Sequence, residues 1–126
     1  MQTTSIKNIN GNHNEWKKAL GFYKDELKIF KNRLEEVTAK NTAKETMQMV
    51  EHFQNQFLIQ GENIDILSHD IDQHLQRMAK EVQLQAGHID KDEIPIHFLL
   101  KDRFGNEQKI FTELKQEFEH FLSKVM

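Results

Sequence analysis

Apolar residues recur every seven positions through the middle of this chain. Val50, Phe57, Ile64, Ile71 and Met78 stand seven apart, with Phe53, Leu67 and Val82 in the alternate places. A repeat near 3.5 keeps one stripe on the same side of an α-helix for many turns, which predicts a long helix with a dedicated packing face. Gly61 lies inside the run and costs about 1 kcal/mol relative to alanine, yet the apolar phase does not shift across it. The pattern therefore predicts an unbroken helix over 43–86, ending where Gly87 can take a left-handed conformation.

The flanking segments carry their own seams. Upstream, Trp16, Leu20, Tyr23, Leu27, Phe30, Leu34 and Val37 are separated by alternating steps of four and three, which predicts a helix over 13–39. Asn12 with Glu15 resembles a capping box, and Thr42 with Glu45 forms a full one. Downstream, His97, Phe104, Phe111, Phe118 and Val125 stand at sevens, with Leu114 and Phe121 between them. That predicts a helix over 96–124, with Pro95 suited to its first turn. The turn at Lys40, Asn41 and Thr42 is short, so the first two helices must be antiparallel neighbours. The expected fold is all-α: an antiparallel helical bundle on one long central helix, 43–86, flanked by helices 13–39 and 96–124. Residues 1–12 read as a polar tail and 13–126 as a single domain.

Lengths lead to an oligomeric expectation. At 1.5 Å per residue the central helix would be about 65 Å long and its neighbours about 40 Å each. The first helix would cover the early part of the central one and the third helix the late part, overlapping only around the middle. A seam left open at both ends calls for a second copy, and a two-fold antiparallel homodimer would close it. The alternative is a break at Gly61 and an up-down four-helix monomer.

Composition narrows the function classes. The chain has no cysteine, which removes disulfides, thiolate metal sites and cysteine nucleophiles and fits a cytoplasmic protein. Its first dozen residues lack the apolar stretch of a secretory signal, and no apolar run is long enough for a membrane span. The formal net charge is −3. The one basic stripe, Lys17, Lys24, Lys28 and Lys31, is interrupted by Asp25 and Glu26, so it reads as a solvated face and not as a nucleic-acid surface. There is no Gly-rich phosphate loop, nucleophile elbow or zinc-protease helix motif. The expectation is a non-catalytic, self-associating module that contacts a protein partner.

The seven histidines raise a second possibility. His13, His74 and His97 fall in the core phase of the three helices, while His52, His69 and His120 point away and His88 lies in a connection. Glu107 also occupies a seam position. Counting outward from the two turns places Glu107 level with His74, and His13 near Leu67 to His69. Bundles build metal sites from inward side chains on facing helices. The geometry allows a site from His13, His69, His74 and Glu107, with Asp65, Asp70 or Asp72 behind the ligands. The competing reading of His74 and Glu107 is a buried hydrogen-bonded pair that fixes helix register.

The order of these residues resembles that of a hemerythrin-type domain, a four-helix bundle that holds two irons and binds oxygen. That family has a histidine on the first helix, then H-x3-E, H-x3-H and H-x4-D. This chain has His13, then His52 with Gln56, His69 with His74, and His97 with Asp102. The segment His97-Phe98-Leu99-Leu100-Lys101-Asp102 carries the last spacing in full. Gln56 stands at the family's glutamate, and His69 and His74 are five apart where the family has four. The resemblance covers nearly the whole chain and implies an oxygen or metal sensor or carrier. It adds His97 and Asp102 to the expected ligands, and it requires a turn near Gly61. The candidate set is then His13, His69, His74, His97, Asp102 and Glu107, for iron or zinc.

Overall fold

The computed structural model describes the backbone of residues 6–84 and 93–126, and the side chains of 12–80 and 94–126. Three helices account for it: α1 (Ile6–Lys40), α2 (Lys44–Leu84) and α3 (Glu93–Val125). The heptad stripe keeps α2 continuous through Gly61, as the unshifted apolar phase predicts. Gly61 tolerates this because nothing crowds it; an added Cβ would meet only Leu27 Cδ1, at 4.0 Å. Pro95 falls in the first turn of α3, where its missing N–H has no intrahelical partner to lose.

The helix ends correct the expected boundaries. Helix α1 begins at Ile6, so Asn12 lies within a helix and does not cap one. The first bond at the start of α2 runs from the Met47 N–H to the Ala43 carbonyl, 3.0 Å, which puts the half-in residue at Ala43 and not at Thr42. At the end of α1, Asn41 donates both its backbone N–H (3.0 Å) and its side-chain amide (3.1 Å) to the Val37 carbonyl. One residue thus satisfies a carbonyl that the helix itself leaves open. The end expected at Gly87 lies outside the described residues.

Packing departs more strongly from expectation. Helices α1 and α3 run parallel to each other and antiparallel to α2, and both flank α2 over the same stretch. His13 on α1 and His97 on α3 both meet His74. Toward the other end, Phe53 on α2 packs on Phe118 and Phe121, while Phe30 on α1 packs on the same Phe118. The expected stagger is therefore absent, and with it the open seam that called for a second copy. His74 faces His97 where counting from the turn pairs it with Glu107, ten residues farther along α3 and nearly three helical turns away. Helix α2 runs past the start of α3 before the chain turns back.

The core is one continuous cluster with two textures. Its most aromatic part is a knot of Phe30, Phe53, Phe57, Phe118 and Phe121, with Phe118 in edge contact with Phe57 at 5.0 Å and 88°. Such pairs add about 0.5–1.5 kcal/mol each beyond the burial of their area. Ion pairs lace the outside: Lys17 with Asp72 and Lys24 with Asp65 between α1 and α2, Arg103 with Asp70 between α2 and α3, and Lys115 with Glu26 between α1 and α3. The exposed pairs among these, all but the last, contribute about 0.2–1 kcal/mol each. Their spacing of seven on both α1 and α2 marks the register more than it stabilises it. No described helix is long and apolar enough to cross a membrane.

Substitutions separate these contributions. Gly61→Ala and Gly105→Ala, each facing open space or ordinary contact, should raise stability by about 0.5–1 kcal/mol apiece, read as a higher thermal midpoint. A lower midpoint for Gly61→Ala would place a turn there. Phe118→Ala should cost about 3–5 kcal/mol in denaturant unfolding.

Candidate metal centre

Each helix brings one histidine to the same buried layer, and the seam pattern explains why. His13 precedes Trp16 and Leu20 on the α1 stripe, His74 lies between Ile71 and Met78 on α2, and His97 precedes Leu100 on α3. A residue at such a position must enter the core with its stripe, whatever its polarity. His13 and His74 are fully buried and His97 is 2% exposed. One ligand nitrogen from each of the three lies within 4.8 Å of the others. His13 Nε2 is 3.3 Å from His97 Nδ1. The His13 ring meets His74 and His97 edge-on, with centroids 4.9 and 5.1 Å away.

Aromatic rings wall the layer. Trp16 stacks on His97 at 5.3 Å and meets His13 edge-on at 5.1 Å, and Phe104 stacks on Trp16 at 5.9 Å. This environment disfavours charge. Burial, with the neighbouring charges of His74 and His97, pushes His13 down to about 4. Burial, then His74 and Lys101, lowers His97 as well. His13 and His97 are therefore held neutral, the form in which imidazole binds a metal. His13 Nδ1 is buried with no hydrogen-bond partner among the described residues. An orphaned polar atom of this kind costs about 1–3 kcal/mol. The three buried histidines are placed so that they could hold a metal ion.

The other expected ligands are elsewhere. His69 and Asp102 are exposed and do not join the cluster. Asp65, Asp70 and Asp72 are engaged by Lys24, Arg103 and Lys17 and do not stand behind histidines. His52 is exposed, with its ring on Phe53; His120 is exposed too, and His88 lies outside the described residues. Glu107 is buried, but its partner is Gln60 and not His74. With its amide nitrogen turned toward α3, Gln60 donates to both Glu107 carboxyl oxygens, at 2.6 and 3.1 Å. Burial pushes Glu107 up to about 7. Turned the other way, the Gln60 carbonyl oxygen accepts from the protonated acid, so the pair can be satisfied in either protonation state. Gln60 was legible as a polar residue at a seam position between Phe53 and Leu67, a signal the histidines overshadow.

The chain matches no family model, no curated protein and no solved structure.

The two polar layers respond oppositely to pH. The fold holds His13 below the ordinary 6.5, so the unfolded chain takes up the proton first. Its contribution to stability is complete above 6.5 and lost as pH falls toward 4. Glu107 is raised from 4.5 to about 7, so its contribution is complete below 4.5 and lost as pH rises through 7. Glu107→Gln should remove the second loss. Its stability relative to the parent should climb between about pH 5 and 8 by roughly 1–3 kcal/mol, measured as urea midpoints. A constant difference across that range would show that Glu107 is ionised in the fold.

Proposed function

We propose that this three-helix bundle binds one first-row transition-metal ion, of the zinc, iron or copper class, through His13, His74 and His97. The observation that carries this reading is the convergence of one imidazole nitrogen from each helix in a single buried layer. Imidazole suits zinc, copper, iron and nickel, whereas calcium and magnesium want oxygen donors. The 3.3 Å between His13 Nε2 and His97 Nδ1 is close to the edge of a tetrahedron with metal–nitrogen bonds of about 2.0–2.1 Å.

Nitrogen donors alone favour a single ion over the paired irons of the hemerythrin-type arrangement. His52, His69 and Asp102, which that arrangement would draw on, are exposed. A bound ion would tie the start of α1 to the late part of α2 and the start of α3. Binding free energy then becomes folding free energy, and the order of that end reports whether metal is present. This suits a metal carrier or sensor with no catalytic step of its own. A second reading, a self-associating module, is favoured by the exposed Phe22 and Ile29 on α1 and Leu58, Ile59 and Ile66 on α2. Sedimentation at several concentrations tests it independently.

Equilibrium dialysis against zinc or cobalt with elemental analysis tests the first reading. One ion per chain is expected, lost in His13→Ala and His97→Ala and retained in His52→Ala and His69→Ala. Metal at one hundred times its dissociation constant should add about 2.7 kcal/mol of stability. Trp16, the only tryptophan, should lose fluorescence when a paramagnetic ion such as Cu(II) binds. Loss of binding in the His52 or His69 variant, with the His13 and His97 variants unaffected, would move the site elsewhere.

A further inference from the structure

We infer that a second copy of this chain packs on the outer face of α2 and α3, reversed in direction, about a two-fold axis at the level of Asn63 and Ile110. This rests on the self-association reading above, names its face and its symmetry, and is independent of metal binding. Ile59 and Ile66 stand seven apart on α2, Ile110 lies on the adjoining edge of α3, and all three are exposed. Asn63, Ile66, Arg103, Asn106 and Ile110 line one shallow groove between the two helices. The patch is mid-bundle, with Ile66 about 27 Å along α2 from Leu84. The core stripe of α2 is already filled by α1 and α3. A second apolar pair at a spacing of seven marks a helix with a further partner.

Self-complementarity selects a copy of the chain as the occupant. A two-fold interface sets each residue against the position equally far beyond the axis. Helices α2 and α3 are antiparallel and Asp70 meets Arg103. Asn63 and Ile110, each seven residues from that pair, are therefore level, and one axis serves both helices. On α2 this axis sets Ile59 against the partner's Ile66. It also brings together the two copies of Asn63, whose amides can each donate and accept. On α3 it sets Arg103 against the partner's Glu117, seven residues to either side of Ile110, and Asn106 against the partner's Glu113. Gln56 meets the partner's Asp70. Opposite charges thus meet twice across the axis, and none of these pairings opposes like charges. A face from Met49 to Gln73 is about 36 Å long and about 20 Å wide. Covering it on both copies buries roughly 1,400 Å², within the range of stable dimers.

The test is sedimentation equilibrium of the full chain over a wide range of concentration, where a monomer–dimer equilibrium is expected. Ile66→Glu and Ile110→Glu should each weaken the dimer at least tenfold. Their helicity by circular dichroism should be unchanged, because both side chains are exposed. Ile29→Glu on α1 should leave the dimer intact. Glu117→Arg should weaken it, and Arg103→Glu added to that variant should restore it. Asn63→Cys introduces the chain's only cysteine, which should oxidise to a covalent dimer. Thr112→Cys, in the groove between α3 and α1, should not. A dimer sensitive to Ile66→Glu but lacking the Asn63→Cys crosslink would overturn the axis. A dimer lost in Ile29→Glu and kept in Ile66→Glu would overturn the inference and leave the self-association reading standing. A chain monomeric at every concentration would overturn both and leave the face to a partner of different sequence.

Discussion

A buried polar group must meet a partner, and in this bundle that requirement governs how the helices lie against one another. Apolar seams alone are permissive: sliding one helix along another by whole turns returns similar stripes to the same face. Two layers are not permissive. The histidine layer needs positions 13, 74 and 97 side by side, and the second layer needs Gln60 opposite Glu107. Each misplaced polar group would stay desolvated without compensation, at about 1–3 kcal/mol, whereas a displaced leucine can find another leucine. In the register observed Gln60 meets Glu107, and the three histidines meet one another with His13 Nδ1 left over among the described residues. The ion pairs at the α1–α2 edge agree with that register, and their exposure makes them followers of it.

The same constraint divides the bundle into two ends of different character. Phenylalanines from all three helices interlock near the turn between α1 and α2, where burial and aromatic contact give most of the cohesion. At the other end, three imidazoles and an indole occupy the space that leucines would otherwise fill. That end has given up hydrophobic stabilisation for a set of lone pairs. A cluster of this composition is poor core material by itself and good metal-binding material, which is why the functional reading centres on it.

Much of this was written in the chain. Helical class, three elements, the uninterrupted path through Gly61 and nearly every core residue follow from a period of 3.5, because burial of a stripe is decided locally by phase. The inward placement of His13, His74, His97 and Glu107 follows for the same reason. Boundaries were less legible. The cap-like pairs at Asn12 and Thr42 are common in polar stretches, and neither marks the end of its helix. The exposed Asp102 entered the candidate set through a resemblance in spacing and His69 through a count of residues from the turns, and neither carries information about phase.

The sequence alone determined which side of each helix is buried, since that depends on neighbours a few residues away along one axis. Which buried residues share a layer was decided only in three dimensions. His74 meets His97 instead of Glu107, a shift of ten residues or nearly three turns along α3 that the heptad pattern cannot distinguish from none. Periodicity is blind to translation along the axis, and only the meeting of polar groups across helices removes that freedom.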